Sequence, residues 1–137
     1  MKVTVTNAQQ ALPVAADRIE RLARCAMRRL SIRKAGILAI SFIDGRQMRH
    51  LNKRFLRHDC STDVLSFRYE REPTIGEILI APLEAQTYAR QHGIPYEEEL
   101  SRYVVHGLLH WLGHEDKTRS QQRAMRLMED RLLACCA

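Results

Sequence analysis

Apolar residues change their spacing part-way along this chain, and the change separates a strand-rich first part from a helical second part. Met1 to Thr6 alternates polar and apolar residues, the period-2 pattern of a strand with one buried face. Pro13 can open a helix that carries Val14, Ile19, Leu22, Ala23, Ala26 and Leu30 on one side, with a basic opposite side. Gly36 to Ile43 is a nearly continuous apolar run of strand type. Asp44-Gly45 then supplies a turn into a helix from Arg46 to Phe55, with Met48, Leu51 and Phe55 inward. Asp63 to Tyr69 reads as a strand, Glu70 to Gly76 as a turn, and Glu77 to Ile80 as a second strand, a pairing compatible with an antiparallel hairpin. From Leu83 the pattern is helical: Leu83 to His92 closed by Gly93, Pro95 to Leu112 closed by Gly113, and Ser120 to Cys135. The expectation is an α+β fold in a single domain over residues 1–137, with a mixed sheet of about four strands packed against about five helices. Leu100, Val104, Leu108 and Trp111 would bury one face of the long central helix.

Composition narrows the class without naming a function. The 137 residues are 45% hydrophobic and 28% charged, ordinary for a globular domain, and no apolar run approaches the ~20 residues that cross a bilayer. The first residues lack the apolar core and cleavage site of a secretory signal, so a soluble, cytoplasmic protein with no membrane partner is expected. Cys25 sits in a helical run and Cys135-Cys136 are adjacent, poor geometry for mutual bridging, which predicts reduced thiols. A net charge of +6, with Lys and Arg clustered from Arg18 to Lys34 and from Arg46 to Arg57, favours an anionic partner but is also common on proteins that are merely soluble.

The candidate chemistry lies at the end of the central helix, in His106-Gly-Leu-Leu-His110-Trp-Leu-Gly113-His114-Glu-Asp116. Residues four apart on a helix stand one above the other, so the imidazoles of His106 and His110 can converge on one ion. Gly113 can adopt the left-handed cap conformation and turn His114, Glu115 and Asp116 toward the open side of the pair. Three protein ligands plus water is the pattern of a catalytic zinc, whereas structural zinc sites favour closed, cysteine-rich sets that this segment lacks. The ligand spacing also occurs in one class of zinc metalloproteases. Those enzymes need a glutamate after the first histidine as general base, and here that residue is Gly107, which cannot move a proton.

Two further blocks carry a resemblance. With Leu51-Asn52, Phe55, Asp59, Thr62-Asp-Val-Leu-Ser-Phe67, Gly76-Glu-Ile78, Glu99-Leu100 and His106 to Gly113, the chain resembles the bacterial YbeY-type endoribonucleases from about Leu51 to Asp116. The resemblance implies a metal-dependent endoribonuclease that prefers single strands and acts in rRNA maturation at the 3′ end of the small-subunit species and in ribosome quality control; the attacking group would be a metal-activated water, with the substrate's own 2′-hydroxyl as the alternative. It implies one Zn2+ per chain, with another divalent metal as the alternative. Its ligands would be His106, His110 and Asp116, with His114 as the competing third ligand. Three positions depart from the family pattern. Asp116 stands where a third histidine is usual, Glu77 where an aspartate is usual, and Leu56 where an arginine is usual; the neighbouring Arg57 or Arg54 could take that arginine's place, and Arg57 is taken as the catalytic one. Lys53, Arg54 and Arg57 would contact RNA phosphates. Asn52 and Ser66 read as structural, Asp63 as orienting its neighbours, and Trp111 as core rather than a base-stacking platform. The small ribosomal subunit is the implied partner and a monomer the default. The non-enzymatic alternative is an RNA-binding assembly factor whose metal only stabilises the fold.

Overall fold

Strand β1 (Lys2–Asn7) is followed by α1 (Ala16–Arg29), β2 (Ile37–Phe42) and α2 (Gly45–Leu51), which runs on into a wider π-helical turn over Asn52–Leu56. Then come β3 (Val64–Arg68), β4 (Thr74–Ile80), α3 (Pro82–His92), α4 (Tyr96–Trp111) and α5 (Arg119–Cys136). This computed structural model describes residues 1–56, 64–71 and 73–137. Arg57, Asp59, Thr62, Asp63 and the side chains of Phe55 and Leu56, all singled out above, lie outside the described residues.

The strands form one mixed sheet in the order β1-β2-β4-β3. β1 and β4 each pair parallel with β2, and β3 pairs antiparallel with β4 as the hairpin pattern suggested. A parallel neighbour requires a crossover, which α1 supplies between β1 and β2. In β2 the alternate residues Leu38, Ile40 and Phe42 are almost fully buried, and α1, α4 and α5 contribute to the same core. The other face is covered by α2: Met48 packs with Ile43, Leu65, Leu79 and Ala81 in a second, smaller core. Asp44 starts α2 with a capping box, its side chain accepting from the Gln47 backbone N–H at 2.7 Å. No described helix is long and apolar enough to cross a membrane.

Helix α4 contacts α1, α3, α5, β3 and β4, so it is buried on more than the one face expected. Tyr103, Val105, Gly107 and Leu109 join Leu100, Val104, Leu108 and Trp111 inside. Three other expectations are corrected. Helix α1 begins at Ala16 rather than Pro13, although Val14 still packs on the core. Strand β4 begins at Thr74, so Gly76 is in the strand and not in a turn. Trp111 lies where a Cβ on Gly76 would be, so this glycine serves close packing. The reduced-thiol expectation also fails, because Cys25 is joined to Cys136 with a Cα–Cα distance of 5.6 Å. Helices α1 and α5 pack side by side and bring together cysteines 111 positions apart, a proximity that spacing does not encode. Cys135 is the free, exposed cysteine among the described residues.

Candidate metal centre

The Nε2 atoms of His106 and His110, one helical turn apart on α4, approach to 3.0 Å. Asp116 Oδ2 lies 3.4 Å from each of them. All three ligand atoms fall within 4.8 Å of one another. Ligands at the zinc distance of about 2.0–2.1 Å form a tetrahedron with edges of roughly 3.3 Å, so two nitrogens and one carboxylate oxygen at these separations fit a divalent cation. The side chains of His106, His110 and Asp116 are 27%, 31% and 36% exposed, which leaves the point they face open to a small molecule.

Two local motifs bring Asp116 to the histidines. Gly113, at φ 101°, ends α4 in a Schellman arrangement: its N–H donates to the His110 carbonyl at 2.9 Å and the His114 N–H to the Leu109 carbonyl at 3.0 Å. On the far side, Thr118 caps α5, accepting from the Gln121 N–H at 3.1 Å, while the Gln121 side chain accepts from the Lys117 N–H at 2.9 Å. The segment carrying Asp116 is therefore held at both ends. Arg68 of β3 adds a third hold, donating from Nε to the Trp111 carbonyl at 3.1 Å and again from its terminal nitrogen. His114 is exposed and lies outside the three-residue group, and Glu115 is exposed with Lys117 4.0 Å away.

Behind the histidines stands a residue the sequence did not single out. Glu129 of α5 is 3% exposed, and its Oε2 lies 2.6 Å from His106 Nδ1. A carboxylate at that distance accepts the ring N–H, placing the proton on Nδ1 and leaving the Nε2 lone pair facing His110 and Asp116. Glu129 is held in turn by Arg102, whose guanidinium donates to it at 3.0 Å and to Asp130 at 2.7 Å. Burial works against the charge of Arg102, but these hydrogen bonds and the charges of Glu129 and Asp130 outweigh it and raise the guanidinium pKa. A buried carboxylate is thus matched on both sides, as buried charge requires. Its signal was legible in outline: Met125, Glu129 and Leu132 recur at i, i+4 and i+7, a carboxylate inside an apolar stripe.

Helix α4 sits unusually close to the sheet beside this centre. A Cβ on Gly107 would come within 2.6 Å of Ile78 Cγ2 and 2.8 Å of Val64 Cγ1, and Ser66 Oγ donates to the Gly107 carbonyl at 2.7 Å. Gly107 therefore excludes the protease glutamate sterically as well as chemically. Ser66 ties β3 to α4. Buried Asn52 donates to the Met48 carbonyl at 3.1 Å, and Trp111, 3% exposed, donates to the Ile75 carbonyl at 3.3 Å. All three are structural in the sense expected. Glu77 accepts from the Tyr69 hydroxyl at 3.1 Å and points to the sheet face opposite α4, as alternation along β4 requires.

The three ligand residues open into a cleft of about 710 Å³ between α4 and α5. Val64, Tyr103 and Met125 supply apolar wall, and Lys117 and Arg126 bring cationic side chains to it. Lys53 and Arg54 are exposed on the turn after α2 and do not line this cleft.

Residues 4–137 match the family described as Endoribonuclease YbeY. An endoribonuclease YbeY from Flavobacterium psychrophilum is 38% identical over 93 residues, covering 67% of this chain and 66% of the relative. One from Bacteroides fragilis is 33% identical over 103 residues, covering 74% of each chain. In fold, the solution structure of a Thermotoga maritima protein superposes with a TM-score of 0.63 at 23% identity, over 96% of this chain and 89% of the other. The family match over nearly the whole chain agrees with a helix-borne histidine pair and a following aspartate, and the chain belongs to the YbeY family of endoribonucleases.

Proposed function

We propose that the chain cuts single-stranded RNA at a divalent-metal centre held by His106, His110 and Asp116, with one Zn2+ per chain. The observation that carries this reading is the convergence of the three ligand atoms within 4.8 Å, inside a cleft, in a chain of this family. A bound ion of this kind supplies Lewis acidity toward a phosphoryl oxygen and makes water a competent nucleophile near neutral pH. The chain's own residues orient and hold. His106 and His110 offer ring nitrogens, Glu129 keeps the proton on His106 Nδ1, and Arg102 keeps Glu129 in place. The carboxylate of Asp116 makes the donor set harder than three imidazoles, so other divalent ions compete better here than at a three-histidine site.

Arg57 is assigned the catalytic arginine's role, with Lys53 and Arg54 as further phosphate contacts. This assignment rests on the resemblance and on the fit of guanidinium forks to phosphate. The wider reading is work on the 3′ end of small-subunit rRNA and in ribosome quality control, by a cytoplasmic monomer that meets the small ribosomal subunit.

The test is cleavage of single-stranded and structured RNA by metal-loaded protein, with His110→Ala as the control. Wild type is expected to cut the single strand and the variant not to. Equal cutting by both would mark a contaminating nuclease and end the hydrolase reading. Elemental analysis separates the ligands: Asp116→Ala should lose its metal and His114→Ala retain it, and the reverse would overturn the ligand set.

A further inference from the structure

Helix α5 carries Arg119, Arg123 and Arg126 at i, i+4 and i+7, so three guanidinium groups stand in one row, all exposed. At 1.5 Å of rise per residue the row is about 10 Å long. Arg18, Arg24, Arg102 and Lys117 take carboxylate partners, but among the described residues no carboxylate lies within ion-pair distance of any arginine in the row. With Gln122 these arginines line a shallow groove of about 550 Å³. Gln122 and Arg126 also line the cleft that holds the three ligand residues, so the groove is continuous with that cleft.

We propose that this row is a binding surface for the phosphodiester backbone of RNA, carrying the strand over α5 as it enters or leaves the metal cleft. The inference deepens the proposed function and rests on it. Three observations select a nucleic-acid backbone. The cations are not neutralised, they are arginines whose planar forks match phosphate oxygens, and they form a line that runs into the site. Nothing in the row offers a pocket for a base, so the contact is independent of sequence and is felt through phosphate charge. Lys53 and Arg54 do not line this groove, so the two basic regions would hold different parts of one strand.

The experiment measures binding of a fluorescein-labelled single-stranded RNA to the metal-loaded full chain across a salt series. It compares wild type with the triple variant Arg119→Ala, Arg123→Ala, Arg126→Ala and with His110→Ala. Removing three phosphate contacts should weaken binding about 10-fold or more at low salt and flatten the slope of log K against log salt by about 2. Metal content and the thermal midpoint should stay at wild-type values, which excludes unfolding as the cause. The companion variant with all three arginines changed to lysine should recover most of the salt slope. A triple alanine variant that binds RNA with wild-type affinity and slope, while wild type still cleaves, overturns the row and leaves the proposed function standing. Loss of RNA binding in the triple variant when wild type proves unable to cleave supports the row and overturns the hydrolase reading. Unchanged RNA binding with reduced binding of polyglutamate would assign the row to an acidic protein and overturn the proposal.

Discussion

The two sides of helix α5 carry charge under opposite conditions. On the inner side Glu129 is buried and held at 2.6 Å by His106 and at 3.0 Å by Arg102. At its exposed positions Arg119, Arg123 and Arg126 stand in solvent, none of them in an ion pair among the described residues. A buried charge persists only if its partners are in place, so the buried positions hold one geometry. An exposed row fixes no geometry, but its field reaches about 8–10 Å at ordinary ionic strength and acts on whatever anion approaches. One helix thus sets ligand orientation through its buried positions and, on the reading above, substrate attraction through its exposed ones.

The sharpest way to break this contrast is Glu129→Ala, which removes the buried carboxylate that Arg102 and His106 share and leaves Arg102 with Asp130 at 2.7 Å and Glu99 at 3.9 Å. Breaking a buried pair in this manner costs about 3–5 kcal/mol, to be read from urea denaturation; a loss under about 1 kcal/mol would show that Glu129 is not a buried anchor. Glu129→Gln keeps the shape and removes the charge. It should lower metal affinity by about 10–100-fold in competition with a chelator, and unchanged affinity would separate Glu129 from the metal centre. Thr118→Ala removes the cap shared by both faces and should cost about 1 kcal/mol of stability, with a loosened Asp116 segment visible as faster amide exchange. Smallest of all, Arg123→Ala should change stability by less than about 0.5 kcal/mol, while still lowering the salt dependence of RNA binding. A single outer arginine that destabilised the fold as much as Glu129 would erase the distinction.

Local features were the legible ones. The His106/His110 spacing, the turn at Gly113 and the placement of Asp116 all lie within eleven residues of chain, where helix periodicity and glycine conformation decide geometry. The capping box of Thr118 and Gln121 was equally readable and went unread. Gly76 was misread as part of a turn, and the packing role of Gly107 went unread. Gly76 and Gly107 are needed because Trp111, Ile78 and Val64 occupy the space a side chain would fill, and nothing adjacent to them in sequence announces that.

By itself, then, the sequence determined the α+β pattern, the family, and a histidine pair followed by a turn to a carboxylate, because each is a matter of periodicity or short-range backbone preference. Tertiary structure alone decided that Glu129 backs His106 from another helix, that Cys25 meets Cys136, and that the outer arginines of α5 adjoin the metal cleft. These pairings depend on which helices become neighbours. That is settled by how apolar faces from the whole chain pack on one sheet, and no spacing within a single segment encodes it.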